Sequence, residues 1–260
     1  MDNTTGNSSP TTGPEGPDTT SAARPTIVLV HGAFAESASW NGVIAGLLDR
    51  HYPVVAVANP LRGVRTDAAY LDSVLAALDT DVVLVAHSYG GMVTSNVTYG
   101  RVQALVYVGA FAPDTGDSAA TLSGRFPGST LADTLMPVTL PDANTDLYIQ
   151  QDRYHAQFAA DSAAADAAVM AVTQRPITQA ALQEPSADAA WRRLPSWFLF
   201  GSEDRNIPVA VHRFMAERAG SRRTVELAGG SHTVAIPESA TVVDLIEQAA
   251  AAVSTSVAAH

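Results

Sequence analysis

Ser88 stands in Val85-Ala86-His87-Ser88-Tyr89-Gly90-Gly91, where an apolar, strand-like run passes directly into a helical stretch. A serine raised on a sharp strand-to-helix turn can attack a carbonyl carbon. Such a turn needs small residues two places before and after the serine, because the strand and helix backbones crowd there. Ala86 and Gly90 fill those places, with Ala86 where glycine is usual. A helix N-cap is the other role open to Ser88.

A serine hydroxyl is a poor nucleophile at neutral pH and needs a base. The chain has seven histidines, at 31, 51, 87, 155, 212, 232 and 260. His232 closes Gly229-Gly230-Ser231-His232, a loop after the last strand, at the sheet edge where Ser88 should emerge. It is the expected base. His87 should point away from Ser88 and reads as structural. His31 follows the first strand; it reads as a brace between loops, placed with Phe34 beside the substrate. His51, His155 and His212 read as surface or cap residues. The spacing of His31, His87 and His232 has no metal-ligand logic, so no metal is expected.

The base needs a carboxylate to fix its tautomer and stabilise its cation. Gly201-Ser202-Glu203-Asp204-Arg205-Asn206-Ile207-Pro208 follows a strand, and Asp204 is the expected acid. Glu203 is the neighbouring alternative, and Asp114 after the fourth strand is a further one. An oxyanion needs preorganised N–H donors. Tyr89 should supply one from the backbone after Ser88. His31-Gly32-Ala33-Phe34 should supply the other, through Ala33 first and Phe34 next. The rings of Phe34 and Tyr89 should wall the pocket.

These residues must be held by a scaffold, and the apolar pattern describes one. Strands are expected at 26–30, 53–58, 82–86, 102–108, 197–200 and 224–227. Helices are expected at about 39–50, 67–78, 90–99, 209–219 and 238–252. Strands alternating with helices imply right-handed crossovers and a mostly parallel sheet of about six strands, covered on both faces. The α/β core therefore spans 26–113 and 195–260. Residues 114–194 interrupt it and are too many for a structureless loop. They are expected to form a helical cap over the strands' carboxyl ends, where open α/β sheets bind ligands. Residues 1–25 are almost free of apolar side chains and read as a disordered tail.

Composition removes other chemistries. The chain of 260 residues has no cysteine, so thiol nucleophiles and cysteine-ligated zinc are out. It has no lysine either, which removes Schiff-base chemistry and the P-loop lysine. A formal charge of −11 gives no affinity for nucleic acid or anionic membranes. No export signal is legible, so the cytoplasm is the expected compartment. A small-molecule substrate is the expected partner, and no cofactor is implied.

His31-Gly32-Ala33-Phe34, the turn from Ala86 to Gly91, the acid loop from Gly201 to Pro208 and the Gly230-Ser231-His232 loop together resemble the α/β-hydrolase superfamily. The resemblance covers about residues 26–253. It is nearest to the small capped branch of plant methyl esterases, hydroxynitrile lyases and bacterial esterase-like hydrolases. It implies a full sheet of eight strands, the first antiparallel ones missing here or hidden in the tail. Hydroxynitrile lyases of this branch carry Thr after the first-strand histidine and Lys after the catalytic one. This chain has Gly32 and Thr233 there. The resemblance thus implies a serine hydrolase for a small or medium carboxylic ester or lactone. A lyase, a cofactor-free oxidative enzyme and a non-enzymatic small-molecule receptor are the alternatives.

Overall fold

The computed structural model describes residues 24–257. The expected tail over 1–25 lies outside the described residues, apart from Arg24 and Pro25. Nine strands run in chain order: β1 (Thr26–Val30), β2 (Val54–Val57), β3 (Val82–His87), β4 (Val102–Val108), β5 (Leu135–Thr139), β6 (Thr145–Ile149), β7 (Ile177–Thr178), β8 (Ser196–Gly201) and β9 (Arg223–Leu227). The α-helices are α1 (Asn41–Asp49), α2 (Val64–Leu78), α3 (Gly90–Thr94), α4 (Ala119–Ser123), α5 (Gln151–Phe158), α6 (Ala164–Thr173), α7 (Gln179–Gln183), α8 (Val209–Arg218) and α9 (Ser239–Val257).

Six strands form one sheet in the order β2-β1-β3-β4-β8-β9, and every pairing in it is parallel. Its central strands are apolar on both faces because both faces are covered. Val28, Val30, Leu84 and Ala86 pack on the side that also holds Leu71 of α2 and Met215 of α8. Ile27, Leu29, Val83 and Val85 pack on the other side with Leu47 of α1 and Ile246 of α9. Each fully buried aliphatic side chain contributes about 1.5–3 kcal/mol relative to exposure. The strand that leads to Ser88 is therefore buried on both faces.

Between β4 and β8 the expected helices are present as α4 to α7, but the insert is not helical throughout. β5, β6 and β7 form a separate antiparallel sheet. A five-residue strand carrying Pro137 reads as loop in sequence. It is tolerated here because β5 is an edge strand, where a missing N–H costs no ladder bond.

The helix expected over 90–99 stops at Thr94. Tertiary partners take over its backbone: the Asp72 carboxylate accepts the N–H groups of Thr98 and Tyr99, and Ser95 O accepts the Ala190 N–H. Among the described residues, no helix is long and apolar enough to cross a membrane.

Candidate active site

β3 ends at His87, and the chain turns at once into α3. Ser88 sits in that turn with a φ of +53°. A side-chain-bearing residue pays about 1–3 kcal/mol for such a conformation. The segment just after β4 enforces it. The Ser88 N–H donates to Gly109 O (3.2 Å), and Ser88 O accepts from Phe111 N–H (3.1 Å).

Two glycines make the close approaches possible. A Cβ on Gly90 would lie 2.4 Å from Val30 O, and one on Gly32 would lie 2.5 Å from the Ser88 Cβ. The β1 loop and the Ser88 turn are thus in backbone contact.

Asp204, at the end of the β8 loop, is buried, whereas its neighbour Glu203 is exposed. Its carboxylate is fully ligated by protein. Oδ1 accepts the backbone N–H groups of Asn206 (2.8 Å) and Ile207 (2.9 Å). Oδ2 accepts from His232 Nδ1 at 2.8 Å and from His212 Nε2 at 3.0 Å. Burial alone would push the carboxyl up. The favourable charge of His232 and the hydrogen bonds from His212 and His232 outweigh it and hold the group well below the usual carboxylate range. Asp114, the further alternative, is instead paired with Arg192.

His212 corrects an expectation. It is not a surface or cap residue but is buried in α8, its ring stacked 4.8 Å from Phe200 and tilted by only 7°. Its Nδ1 is buried without a partner. Nε2 therefore carries the proton given to Asp204, which can only accept. Position 212 lies in the first turn of α8. Sequence alone does not say which face of that helix meets the Asp204 loop.

His232 is held from three directions. His87 Nε2 donates to His232 O at 3.0 Å, with the two rings 4.8 Å apart. Burial drives the His87 pKa down to about 3, so that ring is neutral. From the insert, Asp161 accepts both the Ser231 N–H (2.7 Å) and the Ser231 hydroxyl, and Phe158 O accepts the Thr233 N–H (3.2 Å). Asp161 carries no motif, and sequence reasoning missed it.

A cavity of about 480 Å³ lies over this arrangement. Ser88, Tyr89, Ala33, Phe34 and His232 all line it. The structure thus brings Ser88 and His232 into the lining of one cavity. His232 Nε2, the nitrogen that Asp204 does not use, has no hydrogen-bond partner. The Ser88–His232 bond is therefore not formed here; bonds of this kind commonly tighten only when substrate binds. The Phe34 N–H donates to Arg175 O (2.9 Å), which leaves Ala33 as the better donor of the two. Tyr89 turns its hydroxyl away from the cavity, onto Asp67 at 3.1 Å.

His31 is not among the residues that line the cavity. Its Nδ1–H donates to Gly32 O (2.9 Å), and its Nε2 accepts the Asn59 N–H (3.0 Å). Both ring nitrogens are spent on shaping the β1 loop. Burial lowers its pKa, in keeping with a neutral brace.

Apart from the Asn206 amide, the rest of the lining is apolar or small: Phe111, Phe126, Leu131, Leu135, Phe158 and Ile207 are prominent, and no charged side chain takes part. Among the described residues, no group of three or more His, Asp or Glu side chains could hold a metal ion.

Residues 27–245 match the Alpha/beta hydrolase family. The chain is 26% identical over 250 residues to the alpha/beta hydrolase nvfD of Aspergillus novofumigatus, covering 87% of this chain and 97% of that protein. It is 33% identical over 110 residues to a carbendazim hydrolyzing esterase of Nocardioides, covering 36% of this chain and 46% of that one. Among solved structures, polyneuridine aldehyde esterase superposes with a TM-score of 0.73 at 19% identity, covering 86% of this chain and 98% of the other. Tomato methylketone synthase I gives a TM-score of 0.74 at 17% identity, covering 88% and 99%. These two likenesses establish the shared fold. With a match that spans the sheet, the Ser88 turn, the acid loop and the His232 loop, the chain belongs to the alpha/beta hydrolase family of enzymes.

Proposed function

We propose that the protein is a serine hydrolase for small or medium, uncharged carboxylic esters or lactones. Ser88 Oγ attacks the carbonyl carbon while His232 Nε2 takes its proton. Asp204 keeps the His232 proton on Nδ1 and stabilises the imidazolium. The N–H groups of Tyr89 and Ala33 hold the oxyanion. His232 then protonates the leaving alcohol, and water activated at the same nitrogen hydrolyses the acyl-enzyme. The insert acts as a cap that gives the cavity its apolar roof.

One observation carries this reading. The Asp204–His232 hydrogen bond of 2.8 Å leaves Nε2 unpartnered on a residue that lines the same cavity as Ser88. The uncharged lining supports a neutral substrate, because a buried charge would find no partner there. The absence of lysine and the presence of Thr233 after His232 support hydrolysis over cyanide release. The test is labelling with a fluorophosphonate, beside a screen of p-nitrophenyl esters of graded acyl length and of lactones. Labelling and turnover that vanish together in Ser88→Ala are expected. Equal labelling of wild type and Ser88→Ala overturns the assignment.

A further inference from the structure

Two buried side-chain nitrogens without hydrogen-bond partners belong to residues lining the cavity: His232 Nε2 and Asn206 Nδ2. The first has a role in the proposed reaction. The second does not, and Asn206 is only 3% exposed. A buried amide N–H₂ left unpaired loses its hydration with nothing in return.

The orientation of that amide is fixed by its neighbours. The Gln157 side chain lies 3.0 Å from the Arg205 carbonyl oxygen, which can only accept, so the Gln157 atom there is its nitrogen. The same Nε2 lies 2.8 Å from the Asn206 side chain, so the Asn206 atom facing it is the oxygen. Thr130 completes the set by donating its hydroxyl to Gln157 Oε1 at 2.8 Å. Neither Gln157 nor Arg205 lines the cavity, so Oδ1 is engaged behind the wall.

The remaining polar atoms of Asn206 are also used. Its N–H donates to Asp204 Oδ1 at 2.8 Å, and its carbonyl accepts from the Ser129 hydroxyl at 2.9 Å. Only the two N–H bonds of Nδ2 are left over. Asn206 and His232 therefore flank the same carboxylate, one through its backbone and one through its ring.

We infer that Asn206 Nδ2 is a second recognition point for substrate, taking a neutral acceptor oxygen of an ester that carries one besides its scissile carbonyl. A ketone, ether or lactone ring oxygen has this chemistry. A carboxylate does not fit: no cation lines the cavity, and the Asp204 charge lies directly behind Asn206. Within the ester-hydrolase reading, on which this inference rests, the preferred substrate is an apolar ester interrupted by one uncharged oxygen function.

The test compares methyl hexanoate with methyl 3-, 4- and 5-oxohexanoate in wild type and Asn206→Leu. The readout is the ratio of kcat/KM for oxo-ester over plain ester. Comparing that ratio between proteins cancels the intrinsic reactivity of each ester. At least one oxo-ester should show a ratio about ten-fold lower in Asn206→Leu, the scale of one hydrogen bond. Asn206→Ala, which is smaller and has no side-chain donor, carries the same comparison if the leucine variant does not fold. Ratios unchanged at all three oxo positions overturn the inference and leave the hydrolase reading standing. If wild type turns over none of these esters or those of the graded screen, both fail.

Discussion

His212 and His232 donate to the same oxygen of Asp204, at 3.0 and 2.8 Å. The carboxylate is thus clamped by two imidazoles on one side and two backbone amides on the other. Its rotation is fixed, and with it the direction of the His232 ring. One donor belongs to the proposed proton path and the other stands outside it.

His212→Phe keeps the stacking on Phe200 and removes the donor. It should slow fluorophosphonate labelling by about ten- to hundred-fold, the scale of a hydrogen bond to a charged group. His212→Gln places an amide N–H near the lost Nε2 and should restore most of the rate. Equal rates in the phenylalanine and glutamine variants would show that α8 needs only bulk at this position.

Asp204→Asn puts an amide where two ring N–H groups converge. The His232 ring must then present Nδ1 as acceptor, which leaves a proton on Nε2 and nothing to receive the one from Ser88. The expected loss in kcat is about 10⁴, with KM little changed, as for the corresponding change in serine proteases. Steady-state kinetics on the best p-nitrophenyl ester, with circular dichroism to confirm folding, measures it.

Much of this candidate site could be proposed from sequence because its parts follow strands. Ser88, Asp204 and His232 each lie just past a strand's carboxyl end, and a parallel sheet brings such ends together. Glu203 and Asp204 were separable only by burial, which two adjacent letters do not reveal. His212 and Asn206 were not legible as site residues. Their roles depend on how the first turn of α8 and the loop before it dock onto Asp204 and Gln157, a matter of tertiary packing with no period or motif. The β5–β6 hairpin was hidden for a different reason: Pro137 and short length mask a strand that an edge position permits.

Acid should weaken the fold through its buried histidines before its carboxylates. His87 has its pKa lowered to about 3 by burial, against 6.5 when free. Its contribution is therefore complete above about pH 6.5 and is lost as the pH falls towards 3, because the unfolded chain takes the proton first. His31 is shifted in the same direction. Asp204, held low, loses its contribution only below the ordinary carboxylate range. Melting temperatures between pH 7.5 and 4.5 should fall in wild type and fall less in His87→Gln, whose amide can still donate to His232 O. Identical slopes would contradict the role given to His87.

Gly32→Ala should damage both stability and rate. The new methyl would lie 2.5 Å from the Ser88 Cβ and 2.8 Å from His87 O, and the latter is backbone that cannot yield cheaply. Overpacking of this kind typically costs about 1–3 kcal/mol. A urea midpoint shift of that size, together with lost ester turnover, is the expected result. Wild-type turnover would show that the β1 loop moves freely against the Ser88 turn.

Asp161 and Phe158 belong to the insert, yet they grip Ser231 and Thr233 on either side of His232. The insert, which supplies Leu131, Leu135 and Phe158 to the cavity lining, is therefore also part of the scaffolding for the proposed proton acceptor. Transplanting a foreign insert to obtain new selectivity would unfasten that acceptor unless segment 158–161 travelled with the core. Under the proposed reaction, recognition and reactivity are not interchangeable modules, and directed evolution of one is expected to be read out in the other.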